Sequence, residues 1–199
     1  MDFALLYPLR RYSFQRRFIT LPPGGHVKKV IWLFVLASLW CCPTVLAQGK
    51  NPVATFIREA LTERSKNMVA AAVEMPADKY GFKASPDQLT FGQLTLHIAD
   101  GNYLFCSKIG GVSAPELPKL SETDPKDKLV ERMKASFEFC TTALAKLDDS
   151  NMGETLVIGE TKASRAMTIL TLSGSWATHY SLQATYLQLN GHLPPTAKK

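Results

Sequence analysis

The chain has 199 residues, of which 46% are hydrophobic, 20% charged and 10% aromatic, a balance that fits one globular domain with extra sequence and excludes a disordered or collagen-like chain. Its net charge of +6 is unevenly spread: residues 1–47 carry six basic residues against the single acid Asp2, and the remainder holds 17 basic and 16 acidic groups. The folded part is therefore close to neutral, which excludes a broad basic face for nucleic acid.

Lys28 and Lys29 precede thirteen uncharged residues, Val30 to Cys42, and Pro43 follows. Val45 and Ala47 then occupy the −3 and −1 positions of a cut before Gln48. A charged start, a short apolar centre and a small-residue exit predict a secretory signal peptide, so the mature chain is expected in the periplasm or outside the cell. A retained membrane anchor is the alternative, but the run falls short of the about 20 apolar residues that cross a bilayer. Contact with a membrane is thus expected only through an uncleaved segment. Leu39-Trp40 places a bulky pair before Cys41 and Cys42 and argues against lipidation. The prefix 1–26, with Arg10-Arg11 and Arg16-Arg17, is unusual ahead of such a leader; initiation at Val27 through a non-ATG codon would give an ordinary one.

The mature part reads as four helices. Asn51-Pro52 pairs an N-cap residue with proline at the first helical position, and Phe56, Ile57, Ala60, Leu61, Met68, Ala71, Ala72 and Met75 recur at helical intervals, predicting helix one over about 52–75. Thr90-Phe-Gly-Gln93 is a capping box that opens helix two, with Phe91, Leu94, Ile98 and Phe105 as its core. A long crossover rich in glycine and proline ends at Asp124-Pro125, which opens helix three along the stripe Leu129, Met133, Phe137, Cys140, Leu144 and Leu147. The polar stretch 148–161 is expected to be a loop, with a short extended piece at Leu156–Ile158. Helix four runs from about Ser164 to Asn190, with Met167, Leu170, Trp176, Leu182, Tyr186 and Leu189 as its apolar positions. Gly174 inside it suggests close packing or a cavity. The fold class is all-α, a four-helix bundle.

Phosphate loops, paired-cysteine zinc motifs, His-Glu-x-x-His and Gly-x-Ser-x-Gly are all missing. Three histidines fall in the mature part. His97 and His179 sit in mid-helix on faces turned toward the bundle interior; they suit either a metal site built across helices or two core residues satisfied by hydrogen bonds. His192 follows the helix-ending Gly191 and is expected at the surface. Asp100 shares a face with His97 and suits either a further ligand or a local cap. Ser175 makes a weak nucleophile, because the sequence sets no base beside it. Cys106 and Cys140, the only mature cysteines, either bridge helices two and three or stay as buried thiols.

Taken together, Met75-Pro-Ala-Asp-Lys-Tyr80-Gly-Phe82-Lys83, Thr90-Phe-Gly-Gln-Leu94, His97-Ile-Ala-Asp-Gly-Asn-Tyr103-Leu-Phe105-Cys106 and the tail pairs His179-Tyr180, Tyr186-Leu187, Asn190-Gly191 and Pro194-Pro195 resemble DinB-like bundle proteins over nearly all of residues 52–197. The resemblance implies up-down-down-up connectivity and frequent homodimers. It also implies a divalent metal such as zinc or nickel, held by one histidine of helix two and two of helix four. His97 and His179 match two of these ligands. Ser175 stands where the third should be, and a neutral hydroxyl is a poor donor to a divalent cation. The resemblance thus implies a module with a degraded metal site that binds a small molecule or serves a structural role. The alternative is a metal-dependent thiol transferase or hydrolase using His97, His179 and Asp100, in which the metal activates a thiol.

Overall fold

Among the described residues, four helices account for most of the secondary structure: α1 (Pro52–Glu74), α2 (Phe91–Gly110), α3 (Lys126–Leu144) and α4 (Arg165–Leu189). The structure is a computed structural model that describes residues 50–198; the leader expected over residues 1–47 lies outside the described residues. Among the described residues, no helix is long and apolar enough to cross a membrane.

Residue pairs across the helices fix their directions. Asn102 meets Ser136, Cys106 meets Cys140 and Gly110 lies against Ala143, so α2 and α3 run parallel. Arg58 reaches the carbonyls of Leu144 and Leu147 while Lys126 reaches those of Val73 and Met75, so α1 and α3 are antiparallel. Asn102 with Trp176 and Ile109 with Arg165 set α2 antiparallel to α4. Met68 with Gln183 and Glu74 with His192 make α1 parallel to α4. The order is up-down-down-up, with each helix packed on two others and α1 diagonal to α2. Close approach of α2 to α3 depends on Gly110, where a Cβ would lie 2.4 Å from the Ala143 carbonyl oxygen.

The predicted capping box of α2 forms, with Gln93 N donating to Thr90 Oγ1 at 3.0 Å and Thr90 N to Gln93 Oε1 at 2.8 Å. The start of α1 departs from expectation. Asn51 adopts φ 66° and makes no side-chain cap; the carboxylate of Asp149 instead accepts from Val53 N and Ala54 N at 2.9 and 2.8 Å. Asn51 Oδ1 in turn accepts from Asp149 N. The stripe of α3 is buried throughout. On α4, Trp176 and Tyr186 are buried, but Met167, Leu170 and Leu189 are more than half exposed. Of the other helices this one packs mainly on α1 and α2, and its apolar residues outnumber the face available to bury them. Gly174 is exposed, and a Cβ there would meet nothing within 4 Å, so neither the close packing nor the cavity expected at this glycine is found.

The expected loop after α3 contains a two-stranded antiparallel hairpin, β1 (Thr155–Ile158) with β2 (Thr161–Ser164). β-Branched Thr155, Val157, Ile158 and Thr161 favour the extended chain, and Gly159 takes the positive φ of 58° at the turn. Leu156 points into the core. At the base of the hairpin the buried Arg165 donates to Glu154 Oε2 at 2.6 Å and to the Ile109 carbonyl, tying the hairpin to the end of α2.

Candidate functional site

The register between α2 and α4 places His97 opposite His179. Trp176 Nε1 donates to Asn102 Oδ1 at 2.7 Å. That bond locks the helices so that the residue five before Asn102 faces the residue three after Trp176. The two imidazoles meet edge to face, with ring centroids 5.0 Å apart and planes at 86°. They do not sit in the bundle interior, as their helical faces suggested. His97 is exposed and His179 half-buried, because both belong to the rim of an open groove. The groove encloses about 270 Å³ and is lined by Leu104, Phe105, Leu172 and Trp176 on its apolar side and by His97, Ser175 and His179 on its polar side.

Ser175 Oγ lies 3.2 Å from His179 Nδ1, which the four-residue helical spacing brings onto one face. Burial, and then the neighbouring His97, hold the His179 imidazole below the ordinary histidine range. Asp100 borders the groove, but its carboxylate turns to Arg132 of α3 at 3.9 Å and is two-thirds exposed. His192 is half-buried rather than free at the surface, and its Nδ1 lies 3.5 Å from Glu74 Oε1. Among the described residues, no three His, Cys, Asp or Glu side chains converge as a metal site. A catalytic zinc site takes three protein donors plus water. Two imidazoles and a hydroxyl already engaged with one of them fall short of that set, so the residues present do not fit a resident divalent ion.

Beneath the groove runs a polar chain that sequence reasoning missed. Asn102 accepts from Trp176, donates through Nδ2 to Ser136 Oγ at 3.0 Å, and Ser136 donates to the Met133 carbonyl at 2.7 Å. The side chains of Asn102, Ser136 and Trp176 are all buried, and together they join α2, α3 and α4. The signal was available: Asn102 interrupts the apolar series Leu94, Ile98 and Cys106 at four-residue intervals, and a polar group on such a face must find partners. One turn further on, Cys106 and Cys140 are disulfide-bonded with Cα atoms 5.1 Å apart, both fully buried.

Among known proteins, a sequence model of the DinB superfamily matches residues 60–182. Of the solved structures, a DinB-like protein from Bacillus subtilis is 17% identical, with TM-score 0.56, over 68% of this chain and 92% of that one. A DinB-like protein from Bacillus cereus is 11% identical, with TM-score 0.58, over 70% and 93%. These identities speak for the fold alone. No curated protein matches the chain. The family match, spanning more than half of the sequence and resting on the same bundle that the structural comparisons find, means that this chain belongs to the DinB superfamily.

Proposed function

We propose that this protein is an exported DinB-like binding module whose α2–α4 groove takes a small molecule without a resident metal. The observation that carries this reading is the hydroxyl of Ser175 resting on His179 Nδ1 at 3.2 Å. At the place where the family resemblance calls for a third imidazole, the chain has a group that completes a hydrogen bond inside the protein instead of a coordination sphere. Asp100, the other candidate ligand, is engaged by Arg132. The groove keeps an apolar wall and a rim of hydrogen-bonding groups, the combination small-molecule sites use for affinity and orientation. Export is supported by the leader-like residues 28–47 and by the Cys106–Cys140 bridge, since disulfides persist in oxidising compartments.

One preparation tests both halves. Untagged protein made in an exporting host is expected to start at Gln48 by intact mass and to carry far less than one equivalent of zinc or nickel by elemental analysis. Ser175→His is expected to restore a three-imidazole set and raise zinc occupancy toward one per chain. Near-stoichiometric metal in the unaltered protein, lost in His97→Ala, would refute the metal-free reading; an N-terminus upstream of Gln48 would refute export with cleavage.

A further inference from the structure

We propose that Ser175 and His179 form a metal-independent acyl-transfer dyad that takes activated esters of short apolar acids, an inference that rests on the metal-free reading of the groove. The hydroxyl of Ser175 is unusual within this bundle. Thr62, Thr95, Thr141, Thr168, Thr171 and Thr185 each turn their hydroxyl back to the carbonyl four residues earlier in the chain, the ordinary fate of a helical hydroxyl. Ser175 instead meets an imidazole nitrogen at 3.2 Å, at the outer reach of a nucleophile and its base in a resting site. The sequence alone set no base beside this serine; the helical turn supplies one.

The surroundings suit the same chemistry. Leu104, Phe105, Leu172 and Trp176 give the acyl chain an apolar wall, and Asn102 holds the indole of Trp176 in place from below. Across the groove stands His97, exposed and in contact with the His179 ring. An imidazole carries at least one ring N–H, so His97 brings a donor to the groove that can reach an oxygen on which negative charge develops.

The step balances without any further reagent. Ser175 Oγ attacks the ester carbonyl carbon while its proton passes to His179 Nδ1. The new Oγ–acyl bond forms as the bond to the leaving phenolate breaks, and the phenolate takes the proton from His179. Water then attacks the acyl carbon and gives a proton to His179; the acyl–Oγ bond breaks, His179 returns that proton to Ser175 Oγ, and the carboxylic acid leaves.

The test uses the untagged full-length chain in the presence of a chelator, with p-nitrophenyl butyrate as the probe. The expected result is a burst of p-nitrophenol of about one per chain, an intact mass raised by one butyryl group, and that group mapped to Ser175. Ser175→Ala is expected to abolish the burst and the gain in mass, and His179→Gln to slow acylation about 100-fold, the low end of what a positioned general base contributes, each with helical circular dichroism unchanged. Acylation only at lysines or at His97, or a burst that survives Ser175→Ala, would overturn the proposal. Metal-free protein that takes no acyl group overturns the dyad and leaves the binding reading standing; stoichiometric metal in the same protein before chelation refutes that reading on its own.

Discussion

Breaking the Cys106–Cys140 bridge is expected to remove a large share of the stability of the domain. The two residues are 34 apart in sequence, and the loop they close includes the whole crossover between α2 and α3. Constraining a loop of that size in the unfolded chain contributes about 4 kcal/mol in the chain-entropy picture, against a total of about 5–15 kcal/mol for an ordinary domain. Urea unfolding of the oxidised protein and of the protein reduced under denaturing conditions measures the difference. The reduced form should lose roughly 3–4 kcal/mol. Its dependence on urea should also steepen, because an uncrosslinked unfolded chain exposes more surface. A loss below about 1 kcal/mol with unchanged steepness would refute the argument from loop closure. Two titratable thiols in denatured, unreduced protein from an exporting host would refute the bridge itself.

Two other positions give sharp outcomes. Asp149→Ala removes the carboxylate that accepts from Val53 N and Ala54 N and should cost about 1–2 kcal/mol in urea unfolding; a variant as stable as the parent would mean that α1 does not depend on this cap. Tyr80 donates its hydroxyl to the Ala72 carbonyl at 2.6 Å, and burial, then Asp127, push its ionisation upward. A phenol that holds its proton more tightly when folded stabilises the protein fully below the unfolded value near 10 and loses that contribution as pH rises above it. Tyr80→Phe should therefore cost about 1 kcal/mol at neutral pH and flatten the decline in urea midpoint above about pH 10; an equally steep decline would remove Tyr80 as its source.

Much of the bundle was legible because short-range chemistry and periodicity agreed. The Thr90/Gln93 box sat where a helix begins, and the stripe from Leu129 to Leu144 gave α3 its buried face. Asp124-Pro125 marked the neighbourhood of the α3 start, but Pro125 takes the N-cap position and Asp124 accepts from Ser121 N instead of capping the helix. The cap on α1 was not legible, since Asp149 lies almost a hundred residues from the groups it binds and only the fold brings it there. The hairpin was half hidden, because Lys162 and Glu160 make the stretch polar while its β-branched residues point to strands. On α4, periodicity could not distinguish apolar residues that are buried from those left outside. For the site, helical register was enough to bring His97 and His179 together, but not to say that the groove is open, nor that Ser175 would turn to a ring rather than to its own backbone.

The hydrogen-bonded path from Met133 through Ser136 and Asn102 to Trp176 holds three helices together, and its end at Asn102 and Trp176 also floors the groove. Its members spend their polar atoms on one another, leaving positions 97, 175 and 179 with few structural duties. Exchanging side chains at those three positions therefore changes what the groove offers without rebuilding the supports below. The supports and the rim chemistry are, in this chain, carried by different residues.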